Sequence, residues 1–145
     1  MIEKIKVKFE EMFGVVPIFP ENIVTLKNNV FAVSEELKNF KLIKHPLSVG
    51  VQLNDARSPT WELLNLNKNR IKNYLILNDK SSFLFTCNRK VLKKSITKKS
   101  GQGPYFVVMN KRKELLGIVK FNREYSNVKN IGYYLDQDHL SSTIF

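Results

Sequence analysis

The sequence predicts an α+β protein, with an α/β N-terminal domain over residues 1–72 followed by a small barrel of short strands over residues 73–145. Three observations predict it. An amphipathic helical period opens the chain. Apolar runs of four or five residues separated by turn residues follow. The charge is also divided unequally: residues 1–72 hold 11 basic and 8 acidic side chains, net +3, and residues 73–145 hold 13 and 5, net +8.

Residues 2–13 place Ile2, Ile5, Phe9, Met12 and Phe13 on one helical face, and Gly14 ends the helix as a left-handed cap. Pro17 and Pro20 make Val15–Pro20 an extended connector. Ile23, Val24 and Leu26, then Val30–Val33, read as a hairpin across Asn28-Asn29, because asparagine tolerates the positive φ of a tight turn. Ser34 before Glu35 and Glu36 is a helix start, with the helix running to about Phe40. The segment Leu42–Gln52 is ambiguous, and Asn54–Pro59 is turn chemistry. Trp61, Leu63, Leu64, Leu66 and Ile71 are assigned to the core, where a lone tryptophan in an apolar run is more often found than stacked on a base.

The second half begins with Tyr74–Leu77 as a strand. Asn78-Asp79-Lys80-Ser81 then opens a helix that packs Phe83 and Leu84. Val91-Leu92 is a short strand or turn, and Lys98–Pro104 is a loop. Tyr105–Met109 and Leu115–Phe121 form a hairpin across Asn110–Lys113, and Ile131–Leu135 closes the sheet. Mostly short strands with one helix favour a small barrel.

The chain has 145 residues, 43% of them hydrophobic, enough for a real core. No apolar run approaches the roughly 20 residues of a membrane span, so a soluble intracellular protein is expected. A single cysteine, Cys87, and two histidines, His45 and His139, supply no zinc-ligand set, and neither a metal nor a cofactor is expected. Cys87 lacks a base marked out beside it and reads as a bystander thiol. Asp136 and Asp138 read as a helix start rather than a catalytic pair, and His139 as a helix or surface residue. The Gly101-Gln102-Gly103 pair lacks the longer spacing and the Lys-Ser/Thr ending of a nucleotide loop, so it reads as a flexible turn.

The most informative stretch is Lys80–Lys113, which carries ten Lys or Arg side chains and no acid, interleaved with Phe83, Phe85, Tyr105 and Phe106. Unpaired ammonium groups are costly to bury, so these side chains lie in water or against an anion. Arg112 at a hairpin tip can grip phosphate at two points. The pattern points to a polyanionic partner, and nucleic acid fits it best.

The order of Phe83-Leu84-Phe85, Val91-Leu92-Lys93, Tyr105–Val108 and Leu115–Val119 resembles the PUA domain, a pseudo-barrel RNA-binding module. Upstream, Val30–Leu37, Leu47–Gly50 and Trp61–Leu77, with Asn130–Asp138 near the end, resemble one two-domain PUA family. It is the archaeal and eukaryotic family of large ribosomal subunit biogenesis factors that is Nip-seven-like. The similarity runs from about residue 21 to the terminus. One departure is that the family sets a glycine after the first PUA helix, where this chain reads Thr86-Cys87-Asn88.

The resemblance implies a C-terminal PUA-like pseudo-β-barrel in a non-enzymatic, monomeric factor. Such a factor binds precursor large-subunit rRNA through the basic domain and other ribosome assembly proteins through the N-terminal one. It implies a cytoplasmic location, nucleolar in a eukaryote. Mapped by position, the RNA surface draws on Lys93, Lys94, Lys98, Lys99, Lys111, Arg112 and Lys113, with Arg89 and Lys90 at its margin. About six engaged cations would weaken binding something like a thousandfold between low and near-physiological salt. Two alternatives stay open: an RNA-modifying enzyme or accessory subunit carrying a PUA module, and a protein adaptor with an acidic partner.

Overall fold

The computed structural model describes residues 2–39, 50–54 and 59–132. The chain divides into two compact units, Met1–Glu11 with Val15–Arg70, and Met12–Gly14 with Ile71–Phe145. The second unit takes Met12–Gly14 because the backbone amides of Lys72 and Asn73 both donate to the Phe13 carbonyl (3.0 and 3.3 Å). The Asn73 side chain also donates to the Met12 carbonyl at 3.0 Å.

Helix α1 spans Ile2–Phe13 and buries Phe9, Met12 and Phe13, as the period requires, and Gly14 ends it at φ 75°. Strands β1 (Ile23–Leu26) and β2 (Asn29–Ala32) form the expected antiparallel hairpin, but the turn is Lys27-Asn28 and the positive φ, 54°, falls on Lys27. Asn29 is instead the first residue of β2. The buried Asn54 braces this turn, its Oδ1 accepting from the Val30 amide (2.7 Å) and its Nδ2 donating to the Asn28 carbonyl (3.3 Å). Helix α2 (Glu35–Asn39) follows Ser34, whose carbonyl accepts from the Lys38 amide. Within the ambiguous segment, Val51–Gln52 is strand β3, antiparallel to β2. Residues 40–49 and 55–58 lie outside the described residues.

Helix α3 (Trp61–Asn67) buries Leu63, Leu64 and Asn67. A seven-residue helix offers the core only one narrow face. Leu66 therefore points to solvent, against expectation, and Trp61 is half-buried. Asn67 is fully buried and closes a polar knot: Oδ1 accepts from the Ile18 amide (2.7 Å), while Nδ2 donates to the carbonyls of Ile18 (3.0 Å) and Leu63 (2.9 Å).

The second unit is built on a five-stranded sheet in the order β5-β4-β6-β7-β8. Its strands are β4 (Tyr74–Leu77), β5 (Ile96–Ser100), β6 (Tyr105–Met109), β7 (Leu115–Asn122) and β8 (Glu124–Asn130). β4 and β6 run parallel and the other pairs antiparallel. A parallel pair needs a crossover, which helix α4 (Asp79–Thr86), a 3₁₀ turn at Lys93–Ser95 and β5 provide. The Asn78 side chain caps α4 by accepting from the Ser81 amide at 2.8 Å.

α4 presses Phe85 onto one face of the sheet, beside Leu75, Leu77, Phe106, Val108 and Val119. Gly117 of β7 permits this, since a Cβ there would strike the Lys129 carbonyl and approach the Phe85 ring to 2.9 Å. The expectation that this helix packs Phe83 and Leu84 is corrected. Phe83 is 67% exposed, because an eight-residue helix turns only Ser82 and Phe85 inward.

Three other expectations are corrected. The sheet is open among the described residues, with β5 and β8 as its ends, and no closed barrel forms. Of the loop expected over Lys98–Pro104, Lys98–Ser100 belong instead to strand β5, because β4 supplies an antiparallel partner from Tyr74 to Leu77 and the Thr97 hydroxyl donates to the Ile76 carbonyl. Among the described residues the last strand is Glu124–Asn130, and of the strand expected over Ile131–Leu135 only Ile131 and Gly132 are described. β8 stops where the Asn130 side chain donates through Nδ2 to the Phe85 carbonyl (2.6 Å) and accepts through Oδ1 from the Gly132 amide (2.8 Å). Ile131 and Gly132 are helical, and residues 133–145, with Asp136, Asp138 and His139, lie outside the described residues.

Candidate nucleic-acid interface

Alternation along β5 sends successive side chains to opposite faces, so neighbouring lysines separate. Lys99 stands opposite Leu75 on the face that carries the core, and Lys98 stands opposite Ile76 on the other. Register shifts leave Thr97 of β5, Leu116 of β7 and Val128 of β8 without a cross-strand partner, bulges that bend a sheet and add twist. Between β5 and the β7–β8 hairpin an open groove of about 520 Å³ remains, lined by Lys93, Ile96, Thr97, Lys99, Phe121 and Tyr125, with Lys98 also contributing.

The Lys99 ammonium lies 5.2 Å from the Phe106 ring centroid and 5.7 Å from that of Phe121, the range in which a ring's π face attracts a cation. The Phe121 and Tyr125 rings pack with centroids 4.7 Å apart, tilted by 48°. No acid lines the groove among the described residues. Cations beside aromatic rings suit a phosphate with its attached base, since a flat ring stacks and an ammonium pairs with the charge.

Across the sheet the Lys98 ammonium lies 5.6 Å from the Tyr74 ring centroid. The Tyr74 phenol is held below its usual range, foremost by its hydrogen bond with Lys98, with the Lys98 charge, the Ser100 hydroxyl and the Lys113 charge adding and desolvation opposing.

The nine expected contact residues are all exposed, but eight of them fall into three separate sets and Lys94 into none. Lys93, Lys98 and Lys99 share the groove between β5 and the β7–β8 hairpin. Arg89 and Lys90 line a second groove of about 450 Å³ with Leu84, Val91 and Leu92. The Lys90 charge is paired with Glu124 at 2.9 Å, although both groups are exposed and such a pair is worth little. Lys111, Arg112 and Lys113 sit on the β6–β7 turn, which Asn110 shapes by accepting through Oδ1 from the amides of Arg112 and Glu114 (both 3.0 Å). Lys94 lines neither groove.

Sequence reasoning missed Lys120, whose ammonium lies 5.4 Å from the Tyr105 ring centroid directly across the β6–β7 pair. It also missed the aromatic floor of Phe121 and Tyr125. The signal available for Lys120 was a single cation breaking the apolar run that begins at Leu115.

Among the described residues no three His, Cys, Asp or Glu side chains come close enough to hold a metal ion, and Cys87 is exposed. No helix among them is long and apolar enough to cross a membrane. The sequence matches no protein-family model and no curated protein.

Proposed function

We propose that this chain is an RNA-binding ribosome-assembly factor. It would be of the two-domain PUA kind its sequence resembles, acting on precursor large-subunit rRNA as a cytoplasmic monomer alongside other assembly proteins. Its role is binding rather than catalysis. The observation that carries the reading is the acid-free groove in which Lys99 stands over two rings with Lys93 beside it. Phosphate contacts dominate such binding, so base choice is limited and salt weakens it.

The test is fluorescence anisotropy of a labelled single-stranded RNA titrated with KCl. Affinity falls as salt rises, and the K93Q/K99Q variant binds more weakly with a shallower salt dependence. A flat salt response of the unmodified protein refutes the reading. Conversion of nucleosides in the RNA by the purified protein, seen as a mass change after digestion, would put an RNA-modifying enzyme in its place.

A second reading has its own observation. Leu84 and Leu92 are exposed beside Arg89 in the second groove, and Phe83 is exposed on the same helix, a mixture that suits an acidic and apolar protein segment. An adaptor of that kind binds its partner unchanged when Lys93 and Lys99 are removed.

A further inference from the structure

β5 is the edge of its sheet, and it presents cations on both faces. On the core-bearing face are Lys99 and, from the preceding turn, Lys93. On the other, Lys98 stands over Tyr74, Ser100 stands opposite Tyr74 in the β4–β5 register, and the Lys113 charge acts on the same phenol from the β6–β7 turn. Lys120 over Tyr105 continues that face. Among the described residues no carboxylate pairs with Lys98, Lys113 or Lys120, and all three are exposed. The arrangement of the groove, ammonium groups beside aromatic rings without acids, is thus repeated on the far side of one strand.

We propose that the face of Tyr74, Lys98, Ser100 and Lys113 is a second phosphate-binding site for the same RNA, so that one strand passes around β5 and is held on both faces. This rests on the RNA reading above and narrows it to single-stranded RNA. A duplex is too stiff to turn about one strand edge, as the roughly 150 base-pair persistence length of double-stranded DNA illustrates. The phenol hydroxyl donates to a phosphate oxygen that the ammonium groups neutralise, and its ring offers a base a stacking surface.

The experiment is a KCl titration from 50 to 200 mM, with a labelled ten-nucleotide RNA lacking self-complementarity and, separately, a blunt ten-base-pair RNA duplex. Four ammonium groups engaged on a single strand give a log–log slope of about −2.8 and a loss of about fiftyfold over that range. Removing either pair, as K98Q/K113Q or K93Q/K99Q, halves the slope to about −1.4 and cuts the loss to about sevenfold. The duplex, held on one face only, gives a shallower slope of about −1.8.

A slope of about −1.4 in the unmodified protein that K98Q/K113Q does not alter overturns the two-sided path. The groove alone would then hold RNA, and Lys98 would serve only to keep the sheet edge from pairing with another chain. A slope near zero defeats the RNA reading itself. If inorganic phosphate shifts the Tyr74 ring resonances but the ten-nucleotide RNA does not, the site takes free anions only and the proposal also falls.

Discussion

Replacing Lys99 by glutamine separates a shaped groove from a diffuse basic surface, because Lys94 offers a matched control five residues away. Both are exposed and carry the same charge, and they differ in placement: Lys99 lines the groove over Phe106 and Phe121, and Lys94 does not. Removing one phosphate-bound cation from a single-strand complex changes the salt slope by about 0.7, which at 0.1 M salt is about a fivefold loss of affinity. Lys99→Gln is expected to show that loss and Lys94→Gln less than about twofold, by anisotropy at a fixed KCl concentration of about 0.1 M. Stability should barely change, since exposed substitutions stay within about 0.5 kcal/mol and the cation–π contacts are worth a similar amount. Equal losses from the two variants would refute the groove, leaving net charge alone as the attraction. The charge run by itself suggests about six engaged cations. Of these the structure lines the groove with Lys93, Lys98 and Lys99, and the Lys98 ammonium lies by Tyr74, so the groove accounts for a modest salt effect and no more.

Asn67→Ala strips partners from the Ile18 amide and from the Ile18 and Leu63 carbonyls, and is expected to destabilise the first unit by about 2–3 kcal/mol, read as a lower urea midpoint. Asn88→Ala should cost about 1–2 kcal/mol because Asn88 holds φ 63°, whereas Asn88→Gly should stay within about 0.5 kcal/mol in the same measurement. Tyr74 is expected to ionise below the usual phenol value near 10, and Lys98→Gln should raise it, as seen by phenolate absorbance against a Tyr74→Phe control. Because the folded value is the lower one, ionisation of Tyr74 adds stability that is complete above the unfolded value and is lost as pH falls through the folded one.

Much of the fold was legible because periodicity and turn chemistry coincide. α1, the first hairpin, the Asn78 cap and the β6–β7 hairpin follow directly from local residues. β5 and β8 were not legible for opposite reasons. β5 carries Lys98 and Lys99 next to a glycine pair, which locally describes a loop, and only the partner strand β4 makes it a strand. β8 has a register shift opposite Ile118 and Val119, which breaks alternation and leaves Val128 exposed. Neither pairing partner nor bulge is written in the segment itself. The site shows the same limit. Its cations were evident as a run of like charge, but Phe121 and Tyr125 lie far along the chain and meet Lys99 only through the curl of the sheet.

A run of charge in sequence is not a patch, and the C-terminus of α4 shows how a single backbone choice divides it. Asn88 adopts the left-handed conformation that suits the glycine of the resembled family, and the Arg89 amide reaches back to the Leu84 carbonyl (3.1 Å) while that of Asn88 reaches Phe85 (2.9 Å). The helix is therefore closed without a glycine. This closure turns Arg89 back along α4, beside Leu84 in the second groove, while the chain continues through Val91 to Lys93. The Asn88 side chain then accepts from Asn127 of β8 at 2.9 Å, a bond glycine cannot make. Here the bare backbone that a glycine would offer to RNA is exchanged for a tie to the sheet. On the RNA reading, phosphate binding accordingly moves away from the helix end and onto β5, where Lys98 and Lys99 are set by alternation rather than by a loop.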